Sequence, residues 1–353
     1  MAQAIPNAAP RIPVDQVKTR LATVLCNHGF TPDTAGILAD TFTENSLDGV
    51  YTHGLNRFPR FIELVKKGHV RVAEQAVLKN ACGALEQWDG RLAPGISNAL
   101  DATDRAMQLA QAHGLGCVAL ANTNHWMRGG TYGWRAASRG FVFIGWSNTI
   151  ANMPAWGAVD ARLGNNPLVL AVPHGDQAVV LDMAMSQYSY GAMETHQRNQ
   201  ELLAMPGGYD AAGNLSRDPA AILESQRALP VGYWKGAGLS LLLDILATVL
   251  SGGLSTAEIS RQEAEYAVSQ VFIAMDTRKL GQPAALRQMV INIIEDYRQS
   301  QPLSKQEAKQ EAKQDGGHAK IHYPGESALH HRHTNLRDGI PVDERLWAEI
   351  CAL

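Results

Sequence analysis

The densest chemistry in the first hundred residues is the run Asp48-Gly-Val-Tyr-Thr-His53-Gly-Leu-Asn56-Arg57-Phe-Pro-Arg60. It sets an imidazole that titrates near neutrality one helical turn from a guanidinium that stays charged. Reduction of a keto acid needs both: a proton for the developing alkoxide and a cation, best a planar fork, for the carboxylate. The same spacing also fits a histidine that hydrogen-bonds a turn, with Arg57 and Arg60 on a solvated helix start. A second run, Asn122-Thr-Asn124-His125-Trp126-Met-Arg128-Gly129-Gly130-Thr-Tyr132-Gly133-Trp134, follows the apolar stretch ending at Leu120. Asparagine, histidine and glycine at the C-terminal end of a strand suit a ligand site, the glycines allowing a flat ring or backbone to come close. A tight turn with Trp126 and Trp134 as core aromatics fits equally.

Two further clusters are polar. Ser147-Asn148, Asn152-Met-Pro154 and Gly164-Asn165-Asn166-Pro167 offer amides to hydroxyl-rich ligands or pyrophosphates, yet turns favour the same residues. Gly232-Tyr-Trp234-Lys235-Gly236-Ala-Gly238 places a lysine at a helix N-terminus, where free amides and an ammonium make an anion site, or where the lysine is simply on the surface. No G-x-G-x-x-G joins a strand to a helix, because Gly236-Ala237-Gly238 lacks the third glycine. Any dinucleotide must therefore be held in another way. Zinc-peptidase and serine-hydrolase signatures are missing too, and the histidines are too scattered for a metal site.

These residues need a scaffold, and the apolar spacing describes one. From Val14 to Lys67 apolar residues recur every three or four positions, which predicts helices, one of them starting at the Thr31-Pro32 cap. Beyond Ala84, short runs at Gly116 to Ala121, Phe141 to Trp146, Leu168 to Val172, Val179 to Met183 and Gln270 to Met275 read as strands. Helical patterns at Asp104 to Ala112, Gly238 to Leu250 and Ala284 to Arg298 alternate with them, giving an α/β region. The division is a mostly helical region at 1–85, an α/β cofactor-binding region at 86–304 and a C-terminal return at 315–353. Between them, the near-repeat KQEAKQEAKQ at 305–314 has no apolar face and is expected to be an exposed charged insertion.

Composition excludes several classes. With 45% hydrophobic and 18% charged residues in 353, the chain can bury a large core. A net charge of -3 gives no field for nucleic acid or anionic membrane. Four distant cysteines suit reduced thiols in a reducing compartment rather than a disulfide framework. Met1 to Pro13 lacks a signal-peptide apolar run, so a cytoplasmic location is expected. The stretch Leu239 to Leu250, interrupted by Ser240, Asp244 and Thr248, reads as a buried core helix rather than a membrane span.

In order, THGLNRFPRF, NHWMRGGTYGW, MPAWG with GNNP, LDMAMSQYSYG, LPVGYWKGAGLSLLLD and YPGE resemble the segments of the type-2 malate/L-lactate dehydrogenase-like family, from about Val14 to Leu353. The resemblance implies a non-Rossmann α/β fold, with a helical N-terminal region plus a mixed-sheet nucleotide-binding region, in a homodimer that uses NADH or NADPH. It implies hydride transfer to the 2-keto group of a sugar-derived keto acid. Another 2-keto acid, a cyclic imine, or a catalytically silent sugar-acid binding protein are the alternatives. His53 is then the proton donor, His125 lies against substrate and nicotinamide, and Arg57 meets the carboxylate. Cofactor contacts fall on Ala178, Val179, Val180, Leu181, Asp182, Met183 and Ala184, on Trp234 and Lys235, and on Gly325 and Glu326. The sequence departs from the family at Tyr-Thr-His for Ser-His, in a longer loop at His174 to Gln177, and in the insertion at 305–314.

Overall fold

A computed structural model describes residues 10–301 and 321–353; the charged stretch at 305–314 lies outside them. Val17, Leu21, Val24 and Leu25 share one face of the helix Val14–Asn27 and are fully buried. The next helix, Pro32–Leu47, starts at the expected cap: the Thr31 hydroxyl accepts from the Thr34 amide and Pro32 opens the first turn. Its last turns bury polar side chains, which must then find partners. Thr43 and Ser46 donate back to the carbonyls of Ala39 and Phe42. After two short 3₁₀ turns, Tyr51–His53 and Leu55–Arg57, the helix Phe58–Lys66 completes this region. The chain end returns to it: Ile340–Pro341 pairs with Arg11–Ile12, and Ile350 of the helix Glu344–Ala352 enters the same apolar cluster.

A seven-stranded sheet runs in the order Val77–Cys82, Leu85–Asp89, Leu115–Thr123, Val268–Asp276, Phe141–Ser147, Leu168–His174, Gln177–Met183. Only the second and third of these are parallel neighbours, and the helix Gly95–His113 crosses between them. This is the mixed α/β sheet expected. Its first strand, Val77–Cys82, nevertheless falls inside the stretch assigned to the helical region. All six of its residues are exposed, so no buried alternation marks it.

The helix Trp234–Ser251 corrects a second expectation. Its mean hydropathy is 1.3, yet only a third of it is buried. Gly236, Ala237, Ser240, Leu243 and Ala247 face the sheet, where the Ser240 hydroxyl donates to the Gly164 carbonyl and the Trp146 indole donates to Leu243. The opposite face, with Leu241, Leu242, Ile245 and Val249, is open to solvent. A helix apolar all round reads as buried from its sequence, and here one side is exposed.

Candidate active site

The strand Leu115–Thr123 delivers its C-terminal end to the site, as open α/β sheets do. Asn124 next to it is buried, and its amide nitrogen reaches the carbonyls of His69, Leu92 and Ala93. The helix start at Gly95 packs so closely beneath that an added Cβ would fall 2.2 Å from the Asn124 carbonyl oxygen and 2.4 Å from that of His125. His125 is thereby fixed at the backbone. Its ring is fixed as well, since the Met127 amide donates to Nδ1 at 3.0 Å. An amide N–H is only a donor, so Nδ1 holds a lone pair and the neutral ring carries its hydrogen on Nε2.

His53 arrives from the other side. Gly54 lies against the preceding helix, where a Cβ would sit 2.1 Å from the Ser46 hydroxyl, and that hydroxyl accepts from the Leu55 amide. The turn is therefore pressed onto the helix end. The His53 and His125 rings stack with centroids 5.6 Å apart and planes 16° from parallel. Thr52 Oγ1 lies 3.1 Å from His53 Nδ1, and a hydroxyl can donate or accept there. Burial, then the charges of Arg57 and Arg128, lower the His53 pKa to about 4. Burial, then Arg57, hold His125 well below the usual imidazole range.

Arg57 closes the group. Burial and then Arg60 lower its pKa, while Glu265 and Glu194 raise it from a distance. Among the described residues its guanidinium has no hydrogen bond or ion pair. His53, His125 and Arg57 all keep some accessible surface although protein mass surrounds them, which is how groups on the floor of a cleft behave. Arg57 is half-buried, whereas Arg60 is exposed.

The residues predicted to meet the cofactor lie on a sheet edge and the segments next to it. Ala178, Val179, Val180, Leu181, Asp182 and Met183 lie on the edge strand Gln177–Met183, with Ala184 following it. The His174 to Gln177 loop is a tight hairpin. Ala178 and Val180 point into the core, whereas Asp182 stays accessible. Its carboxylate accepts from the Gly130 amide at 2.7 Å, at the N-terminus of the helix Gly130–Ala137. Gly325 takes φ +97°, and the neighbouring Pro324 carbonyl accepts from the Val180 amide, so the YPGE turn covers this edge. Glu326 pairs with Arg298 at 2.8 Å. Val231 donates to the Met185 carbonyl, which brings Trp234 and Lys235, both exposed, to the end of the same strand.

The other motifs serve the fold. Asn148 and Asn166 are fully buried, and their amides are spent on Asp244, Leu254, Thr149 and Ser240. Gly129 and Gly133 admit Val169 rather than a ligand ring. Three residues escaped sequence reasoning: Asn45, Asp48 as a charge, and Arg332. Asp48 is buried, pairs with Arg128, and accepts from Arg332 Nε at 2.5 Å, tying the His53 turn, the His125 loop and the helix Glu326–Asp338 together. Nothing local in the sequence marks such pairs. Among the described residues, no cluster of three or more potential metal ligands occurs.

Arg57 is thus half-buried beside two imidazoles held neutral, close to a strand end of a mixed α/β sheet. The sequence model of the malate/L-lactate dehydrogenase family matches residues 12–351, and the chain belongs to that family of oxidoreductases. It is 41% identical over 344 residues to a 2,3-diketo-L-gulonate reductase of Klebsiella pneumoniae, covering 97% of this chain and 100% of that protein. A 2,3-diketo-L-gulonate reductase of Escherichia coli strain K12 is 40% identical over the same length, with the same coverage. The fold is shared with a malate dehydrogenase of Entamoeba histolytica, at TM-score 0.88 and 22% identity over 97% of this chain and 96% of that one. A putative malate/lactate dehydrogenase of E. coli gives TM-score 0.86 and 25% identity over 97% and 94%.

Proposed function

We propose that the protein uses NADH to reduce 2,3-diketo-L-gulonate at C2, giving 3-keto-L-gulonate. Arg57 carries this reading. A guanidinium enclosed by protein, beside two neutral imidazoles and without a partner among the described residues, is a receptor for a carboxylate one or two bonds from a polarised carbonyl. The names of the relatives supply the sugar acid.

The two histidines take different parts. His125 has its Nδ1 committed to the Met127 amide, so it offers Nε2–H as a neutral hydrogen bond to the C2 carbonyl oxygen. Putting a further proton on Nδ1 would set two donors face to face. His53 has a hydroxyl at that position and accepts either protonation state, so it gives the proton to the developing alkoxide. The site also suits a dinucleotide: Trp234 offers a ring 64% exposed, Lys235 a cation at a helix start, and Asp182 an accessible carboxylate. When bound, NADH supplies the hydride. NADPH is the alternative cofactor. The open face of Trp234–Ser251 supports a homodimer joined there, and the protein acts in the cytoplasm.

Steady-state rates with NADH and NADPH against 2,3-diketo-L-gulonate, pyruvate, oxaloacetate and a cyclic imine carboxylate test the reading. The diketo acid with NADH is expected to give the highest kcat/KM. Oxidation of either cofactor by none of the four substrates overturns it in favour of a silent binding protein.

A further inference from the structure

Asn45 is the buried polar residue that the proposed chemistry leaves unused, and it lies directly behind the histidine pair. Fully buried in the last turn of the helix Pro32–Leu47, it donates from Nδ2 to the His53 carbonyl at 2.9 Å. Its Oδ1 accepts from the Thr131 hydroxyl at 2.8 Å. The orientation of the amide is unambiguous, because a peptide carbonyl only accepts. Thr131 stands in the first turn of the helix Gly130–Ala137, just beyond the His125 loop.

Asp48 follows Asn45 at a spacing of three residues, and Arg128 precedes Thr131 at the same spacing. The two elements are thus joined twice side by side, Asn45 to Thr131 and Asp48 to Arg128. His53 lies in the turn that follows the first element, and His125 in the loop that precedes the second. These ties cross between segments that no shared strand connects, and the two rings stand 5.6 Å apart next to them.

We infer that Asn45 is a positioning residue: through Thr131 and the His53 carbonyl it sets the distance between the His53 and His125 rings at which both address one carbonyl oxygen. This rests on the proposed reductase reading. Asp48 with Arg128 supplies the charge-paired half of the clamp, and Asn45 supplies the neutral half, whose loss leaves the charge balance around His53 unchanged. A misplacement of about 1 Å at a reacting pair costs on the order of 10²-fold in rate.

The test uses Asn45→Ala, Thr131→Val and Thr131→Ser in the full chain. Asn45→Ala is expected to lower kcat about 10-fold to 10²-fold with keto-acid KM within about threefold, and Thr131→Val to lower it by less. Thr131→Ser keeps the hydroxyl and is expected to restore the rate. The titration of the His53 ring, followed by NMR in the absence of substrate, is expected to move upward from about 4 in Asn45→Ala as the turn loosens. That readout holds whatever the substrate is, so it separates failure of the positioning role from failure of the reductase reading. An Asn45→Ala protein that folds and keeps both the wild-type His53 titration and wild-type kcat overturns the inference. A Thr131→Ser protein as slow as Thr131→Val overturns it too. Should Asn45→Ala fail to fold, the Thr131 pair decides alone.

Discussion

A 2-keto acid entering this site is expected to draw a proton from solvent, because its carboxylate opposes what keeps His53 neutral. With Arg57 unpaired, burial and then Arg57 and Arg128 hold the imidazole at about 4. At neutral pH about one ring in a thousand is then protonated, too few for a general acid. Returning the ring to about 6.5 takes about 3 kcal/mol, at about 1.4 kcal/mol per unit. A carboxylate held about 4 Å from the ring contributes about 4 kcal/mol at an effective dielectric constant of about 20, which is sufficient. The sign follows from linkage. Between about pH 4 and 6.5 the complex binds more protons than the free enzyme, so anion affinity strengthens as pH falls through that window. Uptake is then about three quarters of a proton per site at pH 6 and about a quarter at pH 7. Calorimetric titration of the NADH-loaded enzyme with oxalate, a planar dicarboxylate with no reducible carbonyl, reads this number in buffers of different ionisation enthalpy. His53→Gln is expected to abolish the uptake. Proton release on binding, or uptake unchanged in His53→Gln, refutes the reasoning.

Other substitutions separate binding from chemistry. Arg57→Gln is expected to raise the keto-acid KM by about 10-fold to 10²-fold, the loss of a charged hydrogen-bonding partner worth about 1.5–3 kcal/mol, with a smaller change in kcat; an unchanged KM would place the carboxylate elsewhere. Leu242→Lys puts a charge on the open face of the helix Trp234–Ser251 and is expected to split the proposed dimer into monomers in analytical ultracentrifugation, whereas a variant that still sediments as a dimer would move the interface off this face.

Helices and strands with one buried face were legible from residue spacing. Val17, Leu21, Val24 and Leu25 bury one side of a helix, and Thr31 with Pro32 announces the next. Val77–Cys82 was not legible, because an exposed strand leaves no apolar alternation. The open side of Trp234–Ser251 was hidden for the opposite reason: leucine recurs all round the helix, and spacing alone does not say which side meets the sheet. His53, Arg57 and His125 stood out because rare chemical groups crowd short segments. Asn45, Asp48 and Arg332 did not, since Thr131 lies 86 positions from Asn45, Arg128 lies 80 from Asp48 and Arg332 lies 284 from Asp48. Only tertiary packing brings those groups together. Asn148 and Asn166 suggested a ligand and instead hydrogen-bond a neighbouring side chain and the backbone, a distinction that composition does not carry.

In the proposed reaction His53 gives the proton and His125 only polarises the carbonyl. Single-turnover hydride transfer, read as loss of reduced-nicotinamide absorbance with saturating 2,3-diketo-L-gulonate, compares His53→Gln with His125→Gln across about pH 5.5 to 9, on both sides of the ordinary imidazole pKa. His53→Gln is expected to slow the step by about 10² to 10⁴, some 3 to 5 kcal/mol of barrier, and to flatten its pH dependence. His125→Gln keeps an amide donor near the carbonyl and is expected to retain the pH profile with a loss of about 10-fold. A His53→Gln enzyme with normal rates and the ordinary profile, alongside a His125→Gln enzyme that loses both, would assign the proton to His125 and contradict the account.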